Sequence, residues 1–248
     1  MKERIIQCFH ASAKTYERAA DMQRWVAARL ASSFPLLMPR NVLEIGCGTG
    51  MLSQYLVAAY PHASFSFIDI TPAMVKICRQ RFSACPGVMV SCADVEALSR
   101  DSQFDLIVSN MTLHWLEERI YQLHFLSDLL KPGGELFFSV LGEESFGEWK
   151  QVCQDLKMAN GILSFPSLGA MRNHYVQWQF TRELISQHYQ SAYAFLRSFK
   201  QLGTQTPRTG YYPVTPACLR RAIRHFDSLS PSGVDMTYEV VYGSYHQS

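Results

Sequence analysis

The chain has 248 residues, 48% hydrophobic and 18% charged, with a formal net charge of only +2, which excludes a disordered polar chain and disfavours a nucleic-acid binder working by bulk charge. No apolar run approaches the roughly 18 residues of a membrane span. Seven dispersed cysteines (8, 47, 78, 85, 92, 153, 218) without a CxxC pair argue against a disulfide framework or a structural zinc site, so no metal is expected. The apolar residues of 5–9 are broken by Gln7 and too few for a signal segment, which leaves a cytoplasmic enzyme or binding protein as the expectation.

Residues 3–33 place Ile6, Phe9, Ala13, Tyr16, Ala20, Met22, Val26 and Leu30 at mostly three- and four-residue steps, predicting one or two amphipathic helices. Tyr16 at that spacing reads equally as a packing residue. Two prolines in 34–39 end the helical pattern, and the apolar run of Val42, Leu43 and Ile45 follows as strand one. It empties into Gly46, Cys47, Gly48, Thr49 and Gly50, and a helical pattern resumes at Met51. Strand, glycine turn and helix start in that order form a cofactor-binding element. A dinucleotide fingerprint needs its third glycine where Met51 stands, so a pyrophosphate cradle is disfavoured.

A helix through Leu52, Tyr55, Leu56 and Ala59 leads to strand two at 63–69. Its last residue, Asp69, lies 19 positions beyond Gly50, about where nucleotide-binding α/β units place a carboxylate for ribose hydroxyls. With Thr71 and Pro72 it equally marks the start of the helix through Met74, Ile77 and Phe82. Strand three, 88–91, runs into Cys92, Ala93 and Asp94. Strand four, 104–109, is almost wholly apolar and so buried on both faces, and it opens into Asn110, Met111, Thr112, Leu113, His114 and Trp115. In a doubly wound sheet that loop borders the same crevice as the glycine turn. His114 is either a base or substrate contact, or a histidine satisfied by the backbone. A helix is expected over 117–130, a turn at 131–134 and strand five at 135–141. Helices separating the strands argue for a mainly parallel sheet with right-handed crossovers.

Beyond 141 the rhythm changes. A helix over 146–158, an irregular aromatic stretch at 174–180 and a helix over 191–202 suggest an inserted cap, and the strand-like tail 236–245 is expected to close the sheet edge. The resulting partition is a helical lid (1–39), a cofactor core (40–141), an inserted substrate region (142–210) and a C-terminal helix and strand (211–248). From 184 to 226 there is no Asp or Glu, while Arg197, Lys200, Arg208, Arg220, Arg221 and Arg224 contribute six positive charges. This is either a solvated face or the docking ground of an anionic partner.

VLEIGCGTG, Asp69, the Ala93–Asp94 pair, FDLIVSN and LKPGGELFFS together resemble the class I S-adenosylmethionine-dependent methyltransferases, in order and at family spacing. FHASAKTYERAADMQ, AFLRSFKQLGT, VTPACLRRA and MTYEVVYGSY further resemble the malonyl-[acyl-carrier protein] O-methyltransferases of biotin synthesis, the BioC family. The helix departs from that family's RSLKxIGA at Phe199, Leu202 and Thr204. The resemblance implies a Rossmann-like α/β fold with a seven-stranded, mainly parallel sheet and helices on both faces.

It also implies S-adenosylmethionine as cofactor, S-adenosylhomocysteine as product, and site roles. Glu44, Gly46, Cys47, Gly48 and Gly50 would receive the methionine part, Asp69 the ribose, Ile70 and Met74 the adenine faces, and Asp94 and Val95 its edge. Asn110 and Leu113 would line the sulfonium side, closed over by Tyr16 and Gln23, with Tyr16 and His114 at the reacting atoms. His114 and Trp115 would pack on a malonyl thioester whose carboxylate is held by Arg197 or Lys200. Arg220, Arg221 and Arg224 would dock the acyl-carrier protein. Two other readings are a methyltransferase of a small polycarboxylate, resembling the trans-aconitate enzymes, and a methyltransferase-fold interaction protein without transfer activity.

Overall fold

The structure, a computed structural model, describes every residue except Leu37, Ser102, Glu117 and Glu118, and over 119–122 it describes the helical backbone alone. In chain order the elements are α1 (Lys2–Ser12), α2 (Tyr16–Ala19), α3 (Asp21–Ala31), β1 (Asn41–Ile45), α4 (Ser53–Ala59), β2 (Ser64–Asp69), α5 (Pro72–Arg81), β3 (Val88–Cys92), β4 (Phe104–Asn110), α6 (Arg119–Asp128), β5 (Leu130–Leu141), α7 (Gly147–Asp155), α8 (Leu168–His174), β6 (Gln179–Tyr189), α9 (Ala192–Leu202), α10 (Pro216–Leu229) and β7 (Val234–His246).

The strands form a seven-stranded sheet in the order β3-β2-β1-β4-β5-β7-β6. β1 pairs in parallel with β2 and β4, β2 with β3, and β4 with β5. β7 runs against β5. Gly133 and Gly134 exchange backbone bonds with Gln247, whereas Gly142 donates to Glu239, so partners fall along β7 as they rise along β5. The chain lays β2 and β3 to one side of β1 and returns to place β4 on the other. That reversal makes the carboxyl ends of β1 and β4 a topological switch point, where a crevice opens. Val42, Leu43, Leu106, Ile107 and Val108 are fully buried there, which is why β1 and β4 read as unbroken apolar runs.

Several sequence expectations need correction. The tail strand does not close the sheet edge, because β6 lies outside it. β6 occupies residues expected to be irregular cap. Glu183 and Gln187 take its more buried face while Leu184, on the other, is 54% exposed, so the strand shows no apolar alternation. β5 begins at Leu130, not after the Gly133–Gly134 turn. Gly133 takes φ +77° and its N–H bonds Gln247, so the turn is absorbed as an irregularity in the strand, with a register shift opposite Phe104 and Leu106. The N-terminal segment is three helices, broken near Thr15, whose hydroxyl turns back to the Ser12 carbonyl, and at Ala20. The helix expected from Glu117 is observed from Arg119, Glu117 lying outside the described residues.

The chain divides into two compact units: Met1–Ala19, Leu141–Ser167 and Arg182–Val240 form the first, and Ala20–Val140, Leu168–Thr181 and Val241–Ser248 the second. The second is built on the core of Leu43, Ile45, Ile107, Leu126, Phe138 and Trp178. The first is held by aromatics. Phe146 meets Phe195, Phe199 and Tyr238 with ring centroids 6.0, 5.3 and 4.9 Å away, and Trp149 meets Phe195 and Phe226. Burying side chains of this size contributes roughly 2–3 kcal/mol each.

Candidate active site

Within the second unit, the turn after β1 is tied to the end of β2. The N–H groups of Gly46 and Cys47 both donate to the Ile68 carbonyl, at 2.8 and 3.0 Å. Gly46 and Gly48 take φ +69° and +54°, conformations that side chains rarely adopt. Their surroundings differ. A Cβ on Gly46 would collide with the Thr112 side chain, so this glycine lets the loop after β4 close against the turn. A Cβ on Gly48 would meet nothing within 4 Å, leaving its backbone open to a ligand.

Asp69 stands beside that opening. Its Oδ2 accepts the Gly48 N–H at 3.0 Å and its Oδ1 the Thr71 N–H at 2.7 Å. The start of α5 is thus held by Asp69 and by Pro72 in the first turn, and Thr71 caps nothing with its own side chain. Burial pushes the Asp69 carboxyl upward, with the Thr71 and Gly48 N–H groups pulling the other way. Glu44 is 1% exposed and accepts the Ser53 hydroxyl at 2.5 Å. Burial holds it well above the ordinary carboxylate range, the Ser53 bond opposing.

Ile70 is half-buried and Met74 buried at the start of α5. Asp94 accepts the Glu96 N–H at 3.1 Å, opening a short 3-10 turn that buries Val95. Across the crevice, Asn110 donates from Nδ2 to the Gln23 carbonyl at 3.1 Å. Gln23 is 8% exposed, and its Oε1 is buried without a hydrogen-bond partner among the described residues. Leu113 and His114 are buried, and the His114 ring lies 5.3 Å from that of Trp115. The second unit therefore carries together the glycine turn, Asp69, Asn110 and Gln23.

Ser139 was missed. Its hydroxyl donates to Asn110 Oδ1 at 2.8 Å and accepts the Met111 N–H at 3.0 Å, fixing Asn110 and the left-handed Met111 (φ +53°) after it. The available signal was a lone hydroxyl inside the apolar run FFSVL, since a fully buried polar group needs a partner.

Tyr16, Arg197, Lys200, Arg220, Arg221 and Arg224 belong to the first unit. The Tyr16 ring lies 6.3 Å from Phe9, and its helix α2 packs on α9, which carries Arg197 and Lys200. All five of these cations are exposed.

Among the described residues no cluster of three or more His, Cys, Asp or Glu could hold a metal ion, and no helix is long and apolar enough to cross a membrane. A mixed, mainly parallel α/β sheet with a glycine turn open at its middle residue and a carboxylate on the neighbouring strand is the arrangement of the class I S-adenosylmethionine-dependent methyltransferases. Residues 43–136 match the family model described as "Methyltransferase domain". The fold is shared with the N-methyltransferase NodS of Bradyrhizobium japonicum WM9, solved with S-adenosylhomocysteine (TM-score 0.51, 16% identity, 94% of this chain and 98% of that one). The malonyl-[acyl-carrier protein] O-methyltransferase of Magnetococcus marinus is 34% identical over 95% of this chain and 90% of its own length. The bifunctional biotin biosynthesis protein BioCD of Bordetella avium is 32% identical over 98% of this chain and 52% of its own length. The chain belongs to the malonyl-[acyl-carrier protein] O-methyltransferase family.

Proposed function

We propose that the enzyme methylates the free carboxylate of a malonyl thioester carried on acyl-carrier protein, the malonyl methyl ester then priming chain growth toward biotin. The observation that carries this reading is the glycine turn and Asp69 joined at Gly48, on a chain that matches its family relative over nearly its whole length.

The residues present fit the cofactor: Gly48 leaves open backbone, Asp69 offers a pre-set carboxylate, and Gln23 a buried acceptor. Bound there, S-adenosylmethionine would supply an electrophilic methyl group on a sulfonium, suited to transfer to a carboxylate oxygen without any proton transfer. Asp69 would hold the ribose hydroxyls, Glu44 and the turn from Gly46 through Cys47 and Gly48 to Gly50 the methionine part, and Ile70, Met74, Asp94 and Val95 the adenine. Asn110, Leu113 and Gln23 set the sulfonium side.

The acceptor acid, with a pKa near about 4, is already ionised at neutral pH. A catalytic base is therefore unnecessary. The chain's task is alignment and exclusion of water from two opposite charges that cancel as the bond forms. Buried Leu113 and His114 supply the dry wall, Trp115 lies against the thioester, and Tyr16 acts at the reacting atoms. Residues 142–210 carry the acceptor-binding part, and Arg220, Arg221 and Arg224 on α10 receive the carrier. The seven cysteines are all free, which fits a reducing, cytoplasmic setting, and the chemistry needs no metal.

The test is transfer of labelled methyl from S-adenosylmethionine to malonyl-carrier protein, with malonyl-CoA and free diacids such as trans-aconitate in parallel. Label on the malonyl thioesters supports the reading, and label on free diacids alone overturns it.

A further inference from the structure

In the first unit, Ser191 starts α9 by accepting the Ala194 N–H at 3.1 Å, and Ala192, Phe195, Ser198 and Leu202 form the buried stripe of that helix. At about 100° per residue, Arg197 and Lys200 project from the opposite side, next to Tyr193, which is 61% exposed. α10 follows the same plan. Ala222 and Phe226 are its buried positions, and Arg220, Arg221 and Arg224 lie opposite them, exposed. Trp149 of α7 contacts both Phe195 and Phe226, so the two helices turn their apolar stripes toward one layer and their charged faces away from it.

The two helices that carry these charged faces meet end to side. α9 packs on α10, and the Asp227 carboxylate near the end of α10 accepts the first N–H of α9, from Ala192, at 2.7 Å. Counted from that bond, Arg224, Arg221 and Arg220 lie three, six and seven residues back along α10, and Arg197 and Lys200 five and eight residues along α9. At 1.5 Å per residue every one of the five lies within about 12 Å of helix rise from the junction. Among the described residues none of the five is paired with a carboxylate. Five like charges so placed repel one another, a cost that an acidic partner relieves.

We infer that Arg197 and Lys200 form one docking face with Arg220, Arg221 and Arg224, fitted to an acidic protein surface, and that neither holds the malonyl carboxylate. A cation gripping a carboxylate in a dry site does not stand on the solvent side of an amphipathic helix. The partner is the carrier protein of the proposed function, on which this inference rests.

The test uses carrier protein bearing its bare phosphopantetheine arm, which presents no malonyl carboxylate. Fluorescence anisotropy at low salt should show Arg197→Glu/Lys200→Glu binding it about tenfold more weakly than the wild type, comparably to Arg220→Glu/Arg224→Glu. The neutral pair Arg197→Gln/Lys200→Gln should lose less. Wild-type binding should weaken as salt is raised and the variants' binding less so. Calorimetry with S-adenosylmethionine, giving wild-type affinity in every variant, shows that the fold survives. Wild-type binding of bare carrier by Arg197→Glu/Lys200→Glu overturns the inference, as does a wild-type enzyme that does not bind bare carrier. Failure of the carrier reading itself shows separately, as wild-type enzyme that transfers no methyl to malonyl-carrier protein.

Discussion

The backbone N–H of Gly48 donates to Asp69 Oδ2 at 3.0 Å, coupling the glycine turn after β1 to the carboxylate at the end of β2. The other oxygen is fixed by Thr71, so the carboxylate is aimed before any ligand arrives. Asp69→Ala removes a charged acceptor and leaves two N–H groups without their partner. S-adenosylmethionine affinity should fall by about 1–3 kcal/mol, the scale of a lost charged hydrogen bond, when titrated by calorimetry. Affinity equal to the wild type would remove Asp69 from the ribose site.

Glu44 gives the ligand-free protein a pH dependence whose sign follows from its burial. Its folded pKa is raised, so the native state keeps a proton to higher pH than the unfolded chain, whose value is about 4.3. Stability is therefore lost as pH rises through the raised folded value, and the similarly raised Asp69 pushes in the same direction. Glu44→Gln should flatten the decline in urea midpoint as pH rises from about 4.3 to the raised folded value. Equal slopes for variant and wild type would mean that Glu44 is charged in the folded protein throughout.

Glu239 and Arg182 form an ion pair with unequal partners. Glu239 is 1% exposed and accepts the Glu144 N–H at 2.8 Å, whereas Arg182 remains 42% exposed and also pairs with Glu144. Glu239→Ala should cost about 1–3 kcal/mol by leaving the Glu144 N–H unsatisfied. Arg182→Ala should lower the midpoint less, because Glu239 keeps the Glu144 N–H and loses only the counter-charge of a partly solvated guanidinium. The reverse order of sensitivity would show that the guanidinium carries the contact.

Gly203 ends α9 at φ +75°, and a Cβ there would lie 2.8 Å from the Cys8 carbonyl oxygen and 2.9 Å from the Phe9 Cα of α1. Gly203→Ala should destabilise the first unit by more than about 1 kcal/mol, through left-handed strain together with the clash. Proteolysis within residues 1–19 should quicken in the variant. An unchanged rate and midpoint would mean that α1 shifts freely away from the end of α9.

The cofactor half was readable because its signals are local. A strand buried on both faces leaves an apolar run, a tight turn leaves glycines, and Pro72 marks the start of α5. The remaining half depends on distant partners. β6 puts Glu183 and Gln187 on its more buried face and Leu184 on the exposed one, so it has no apolar period to detect. The pairing of Ser139 with Asn110 joins positions 29 apart in the chain. The basic stretch from 184 to 226 was legible as composition, yet only the folded helices show that Arg197 and Lys200 face solvent with the arginines of α10.

The most direct test of the account is the intact mass of malonyl-carrier protein after incubation with the enzyme and S-adenosylmethionine. A gain of one methylene on the acyl group is expected, as befits a methyl ester on the distal carboxylate. An unchanged mass, with methyl appearing on a free polycarboxylate in the same reaction, would contradict it.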